Sequence, residues 1–197
     1  MSQITGRLTP RLETAIEGLV AFIVRHWLLI ANVMFFLFVA PPFLAPLFEA
    51  AGLHLPARII FLVYRPTCHQ LPERSFFIFG RQVAVCARCS ALYLSFWGLG
   101  LIYALTSAVW RERVPVWRAP ALRWVAVAAV PLAVDGLTQL VGLRTSTNLL
   151  RAITGVLTGS AAGAFIYPYM HLGFADARRV WERNQAHRGD ATTGESA

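Results

Sequence analysis

The chain has 197 residues, of which 56% are hydrophobic and only 14% charged, too apolar and too poor in surface-forming residues for a soluble globule. All 18 of its basic residues are arginines, and they give a formal net charge of +8. They lie scattered between apolar runs rather than in one stripe, which argues against nucleic acid as a partner and suits a neighbourhood of anionic lipid headgroups, although an all-arginine set is also what a GC-rich genome produces.

In chain order, Met1 to His26 is read as an amphipathic segment. Leu12, Ile16, Leu19, Val20 and Ile23 recur at helical spacing against Arg11, Glu13 and Glu17, the pattern of a helix lying on a membrane or leading into it. No cleavable signal peptide is expected, because the apolar run begins late and lacks a small-residue cleavage site. Residues 27–170 form a single transmembrane domain. Its first span, Trp27 to Phe48, carries no charge and is long enough to cross; Pro41, Pro42 and Pro46 should kink or break its outer third. Arg58 to Tyr64 reads as a short interfacial or re-entrant helix. Further spans are placed at Val83 to Val109, Leu122 to Val141 and Leu149 to Met170. The tail, 171–197, is polar and reads as disordered. The fold class is therefore all-α, a polytopic transmembrane bundle of about four spans with no internal repeat.

An even number of crossings puts both termini on one side. It puts the first loop, about Glu49 to Gln82, beside the third, about Gly142 to Asn148. Eleven of the arginines then fall with the termini and the second loop (Arg7, Arg11, Arg25, Arg111, Arg113, Arg118, Arg123, Arg178, Arg179, Arg183 and Arg188) and seven fall opposite. Positively charged loops stay inside, so the termini are expected in the cytoplasm, the cysteine-rich loop outside, and the protein in a bacterial cytoplasmic membrane.

Chemistry is crowded between Arg65 and Tyr93. Cys86 and Cys89 stand two residues apart, the spacing at which two sulfurs grip one metal ion or close a small disulfide. Cys68 and His69 lie upstream by a loop of suitable length. These four make a candidate metal set of three thiolates and one imidazole, the donors Zn²⁺ prefers, so the cofactor expected is zinc. Adjacent Cys68 and His69 can both ligate only where the backbone turns sharply; otherwise the fourth position is left to water. A thiol redox pair near a helix start and simple packing of three polarizable side chains are the alternatives. A c-type haem is excluded by Ser90, where that motif needs His.

The second constellation is Asp135 to Gly155. Asp135, Thr138 and Gln139 share one helical face. A carboxylate inside a span costs on the order of 2.5–3.5 kcal/mol, so it must be paired or line a wet cavity; Arg144 and Arg151 are its candidate partners. A structural salt bridge and a catalytic or substrate-binding role fit these residues equally. Thr147 or Asn148 is placed to cap the last span, and Gly155, Gly159 and Gly163 form a flat stripe for close helix packing, within the monomer or in a homodimer.

The blocks "CHQLPERSF", "GRQVAVCARCSALY" and "DGLTQLVGLRTSTNLLRAITGVLTG", in that order, resemble the small bacterial and archaeal membrane proteins grouped as domain of unknown function 2085 (DUF2085), over about Arg58 to Phe165. The resemblance implies a polytopic membrane protein with Cys-His motifs and no assigned activity. Ser90-Ala91 departs from the expected Thr-Gly, which bears on packing rather than chemistry. "DGLTQLVGLR" is also faintly similar to the signature of VanZ-like membrane proteins, with Gly136 in place of the second acid.

These readings converge on an outward-facing polar pocket. Asp135, Glu73 and Arg144 are its candidate catalytic residues; Arg74, Arg88, Gln139 and Arg151 its candidate substrate contacts; Cys68, His69, Cys86 and Cys89 its metal ligands. The functions that fit are a zinc-dependent enzyme acting on a lipid or lipid-linked anionic substrate, a thiol-disulfide redox protein, and a binding, assembly or transport protein with a structural zinc.

Overall fold

In the computed structural model, which describes residues 10–110, 115 and 117–194, the chain is a helical bundle with one small hairpin. Helix α1, Pro10–Val39, fuses the amphipathic segment to the first apolar run; its backbone leaves helical geometry at His26 (φ −112°, ψ 16°), the boundary the sequence suggests. Residues 1–9 of that segment, with Arg7, lie outside the described residues, as do Arg111 and Arg113 of the second loop. The chain bends at Ala40, and α2, Pro41–Ala50, starts afresh with Pro at its first turn. There the missing N–H costs nothing. Helix α3, His54–Tyr64, fills the place of the expected short helix.

A 3-10 turn, Pro72–Arg74, leads into an antiparallel hairpin of β1, Ser75–Ile78, and β2, Arg81–Cys86. The two-residue loop between them holds Phe79 (φ 51°) and Gly80 (φ 70°), the doubly positive geometry that a tight hairpin requires. The hairpin is a correction: the sequence places Val83 to Cys86 in the second span, yet it is strand, and α4 begins at Ala87 and ends at Trp110. Next come α5, Leu122–Leu140, and α6, Asn148–Gly194. A second difference is the tail after His171, expected to be irregular, which continues α6 to Gly194. Ion pairs Arg178–Glu182 (2.8 Å) and Arg179–Asp176 (3.4 Å), at helical spacing, support the extension.

Among the described residues, three segments are long and apolar enough to cross a membrane: Thr14–Ala50, Ala87–Ala108 and Asn148–Gln185. Helix α5, with Arg123 and Asp135 within its 19 residues, is not among them. It nonetheless completes the expected up-and-down order. Arg88 at the start of α4 meets Asp135 near the end of α5, Asn148 at the start of α6 meets Ser75, and at the far end Tyr103 meets His171 and Trp27 stacks on Phe174. So α1 and α5 run toward the cysteine end, while α4 and α6 run away from it.

The outer surface is greasy, with Leu29, Met34, Leu105 and Leu137 each more than half exposed, whereas Asn32, Ser90, Asp135, Arg151 and Thr154 are buried. This reversal of the soluble pattern is what a bilayer asks of a bundle. Two clusters fill the interior. Tyr64, Cys68, Val83 and Val85 pack under the hairpin, and Trp27, Tyr103 and Tyr167 pack at the opposite end.

The glycine stripe lies against α4 within the chain. A Cβ on Gly155 would stand 2.5 Å from the Arg88 carbonyl oxygen, and one on Gly159 would overlap the Leu92 carbonyl. The two helices therefore touch backbone to backbone.

Candidate functional site

The site is assembled from the loop after α3, the end of β2 and the first turn of α4. Helix α3 ends when the Thr67 and Cys68 amides both donate to the Tyr64 carbonyl (3.1 Å each), which turns Cys68 inward. Two residues on, Gln70 adopts a positive φ of 53°. Its side-chain amide donates to the carbonyls of Phe61 (2.8 Å) and Ala84 (2.9 Å), and Gln82 donates in turn to the Gln70 carbonyl (2.7 Å) and to Ser75 Oγ (3.2 Å). Two glutamines thus stitch the Cys68 loop to the hairpin. A register shift between Ser75 and Phe77 sets Cys86 opposite Ser75, and the Cys86 amide donates to Cys68 Sγ (3.1 Å). Sequence patterns do not mark either glutamine; the only hint is Gln70 following Cys-His directly.

The sulfurs of Cys68, Cys86 and Cys89 all lie within 4.8 Å of one another, and none is in a disulfide. Tetrahedral bonds of about 2.3 Å to a common ion would place sulfurs about 3.8 Å apart, so the set could hold a metal ion with small adjustments. Cys86 is held well below the usual thiol range, first by the Cys68 thiol donating to it and then by that of Cys89; Cys68 is correspondingly raised. A cluster this close favours one anionic sulfur with protonated neighbours.

His69 is exposed and is not part of this close group; it lines the adjoining cavity instead. That cavity holds about 190 Å³ and is walled by the three cysteines together with Gln70, Arg74, Arg88, Gln139 and Arg151. Behind it stands Asp135, which is buried. Its carboxylate accepts from Arg88, from Arg144 (2.6 Å) and from Gln139 (3.0 Å). Arg144 also donates to Thr138 Oγ1 (3.1 Å). Gln139 passes the network on, its carbonyl oxygen accepting from Arg151 (2.8 Å), which also donates to Asn148 (2.8 Å).

Arg151 is 5% exposed, and the groups it touches are neutral amides. A buried guanidinium without a carboxylate partner is costly unless an anion joins it. Arg88 Nε is likewise buried without an acceptor among the described residues. Glu73 does not enter the site: its side chain is 66% exposed and reaches Arg74 only at 3.9 Å. Arg144 stands behind Asp135 rather than on the cavity wall. The last span is capped by Thr147, whose hydroxyl accepts from the Leu150 amide (3.2 Å).

The family model described as predicted membrane protein, DUF2085, matches residues 68–165. An uncharacterized protein of Methanocaldococcus jannaschii is 36% identical over 149 residues, covering 73% of this chain and 92% of that one. An uncharacterized protein of Methanothermobacter thermautotrophicus is 33% identical over 110 residues, covering 55% and 92% respectively. No solved structure matches. The matched region begins at Cys68 and takes in all three cysteines, Asp135 and Arg151.

Proposed function

The chain belongs to the DUF2085 family of predicted membrane proteins, and from that premise we propose that it is a membrane zinc protein acting on a lipid or lipid-linked substrate with an anionic group. One observation carries the reading: three mutually close thiols and three arginines, Arg74, Arg88 and Arg151, face the same small cavity. Cys68, Cys86 and Cys89 would hold the zinc, leaving a fourth position toward the cavity. When bound there, zinc would polarise an oxygen of the substrate or activate a water.

The remaining roles belong to the chain itself. Arg151 and Arg74 hold the anionic group, and Arg88 joins them from between the two cysteines of α4 and β2. Asp135 serves as a positioning residue rather than a proton carrier, since three donors already occupy its carboxylate. His69, on the cavity wall with an accessible ring, is the group best placed to exchange a proton with a substrate there. The Gln70–Gln82 stitching holds Cys68 in place.

Elemental analysis of the purified, detergent-solubilised protein beside Cys86→Ser, with free thiols counted in both, tests this. About one zinc per chain is expected in the native protein and little in the variant. A zinc-free native protein with two of its thiols oxidised would instead support thiol exchange, which the lowered Cys86 thiol favours. His69→Ala separates the remaining alternative: loss of zinc in that variant would indicate a closed, structural four-ligand site.

A further inference from the structure

The end of the bundle opposite the cysteines carries a second cavity, and we propose that it binds one phospholipid with an anionic headgroup. It holds about 550 Å³, in the wedge where α1, α4 and α6 diverge. Of the residues that line it, Trp27 is buried and Leu28, Ala104 and Phe174 are half-buried, an apolar wall, while Arg25, Arg178, Arg179 and Glu182 are exposed and form its rim. The wall is closely packed: Trp27 lies stacked on Phe174 (centroids 5.0 Å apart, planes 8° apart) and Tyr103 is hydrogen-bonded to His171 (2.9 Å).

Charge decides the occupant. Arg178 pairs with Glu182 and Arg179 with Asp176, but both pairs are exposed and weak, and Arg25 has no ion pair among the described residues. Three arginines therefore line a space whose two paired acids, Glu182 and Asp176, leave a positive excess. Ser107 lines the cavity, and its hydroxyl is buried without a hydrogen-bond partner among the described residues. A phosphate group matches the rim, guanidinium forks being suited to its oxygens, and an acyl chain matches the wall.

Depth agrees with this. From Cys89 to Ser107 the rise along α4 is about 27 Å, close to the roughly 30 Å of bilayer hydrocarbon. The cavity thus opens at headgroup level on the other face of the membrane from the thiol site, where its arginines meet lipid phosphates. It shares no residue with that site.

The test is native mass spectrometry of the full-length protein in mild detergent, titrated with phosphatidylglycerol or phosphatidylcholine, and repeated with millimolar inorganic phosphate. We expect one phosphatidylglycerol retained per chain in preference to phosphatidylcholine, undisturbed by free phosphate. Arg25→Gln and Arg179→Gln should each weaken retention about fivefold, and Ser107→Leu, which narrows the cavity, should weaken it as well. Equal retention of the two lipids, displacement by free phosphate, or arginine variants indistinguishable from the parent would overturn the assignment. Should Ser107→Leu fail to fold, the exposed Arg25→Gln keeps the question decidable.

Discussion

Asp135 holds two guanidinium groups at once, and it does so from a position that is 1% exposed. Removing the carboxylate leaves Arg88, whose side chain is 22% exposed, without its counter-charge. Asp135→Ala is therefore expected to lower stability by about 3–5 kcal/mol. Asp135→Asn, which keeps an acceptor, should cost less, about 1–3 kcal/mol. Thermal unfolding in detergent reads both. The double variant Arg88→Ala/Asp135→Ala should lose less than the two single losses combined, because the half-buried Arg88 is then no longer stranded and the charge still left unpaired, Arg144, is 44% exposed; strict additivity would show that the pair is not coupled. Arg88 also stands between Cys86 and Cys89, so under the proposed function metal content should fall in Asp135→Ala in step with stability.

Among the elements, the contact between α4 and α6 is set by glycines, and its tightness differs along the helix. Gly155 and Gly159 face backbone atoms that cannot move aside, Gly163 faces the flexible end of Leu99 at 3.1 Å, and Gly98 faces open space. Gly155→Ala and Gly159→Ala should each cost about 1–3 kcal/mol by forcing the helices apart. Gly163→Ala should cost less, and Gly98→Ala should be neutral or stabilise by up to about 1 kcal/mol through helix propensity. Melting midpoints of the four variants would show this order; a flat series would mean the stripe does not set the packing. The stripe was legible from its spacing alone, as were the apolar helices and the convergence of Asp135, Gln139 and Arg151 on the cysteines, because hydropathy and helical period carry those signals. The hairpin was not. Val83 to Cys86 is a short apolar run with no period of its own, continuous in composition with α4, and the turn before it uses Phe79 at positive φ where Asn would have announced it. The extension of α6 was written in the Arg178–Glu182 spacing but outweighed by a polar composition.

For the molecule as a whole, everything at the cysteine end depends on α5 returning the chain to it. Helix α5 is the weakest candidate to cross a membrane unaided, since Arg123 and Asp135 sit within its 19 residues, about 28 Å of rise. Its charged end is neutralised by Arg88 and Arg144, and the Thr158 hydroxyl of α6 donates to its Ala128 carbonyl (3.4 Å). A span of marginal hydropathy can be held in the bilayer by such partners. The consequence is testable by single-site cysteine substitution and a membrane-impermeant maleimide on intact cells. Phe79→Cys at the hairpin tip and Leu143→Cys after α5, each replacing a side chain 76% exposed, should label alike. Arg118→Cys in the second loop and Asp176→Cys on α6 should fall in the opposite class. Different labelling of residues 79 and 143 would mean that α5 does not cross, and the thiols and the buried carboxylate would then have no common membrane face from which to act.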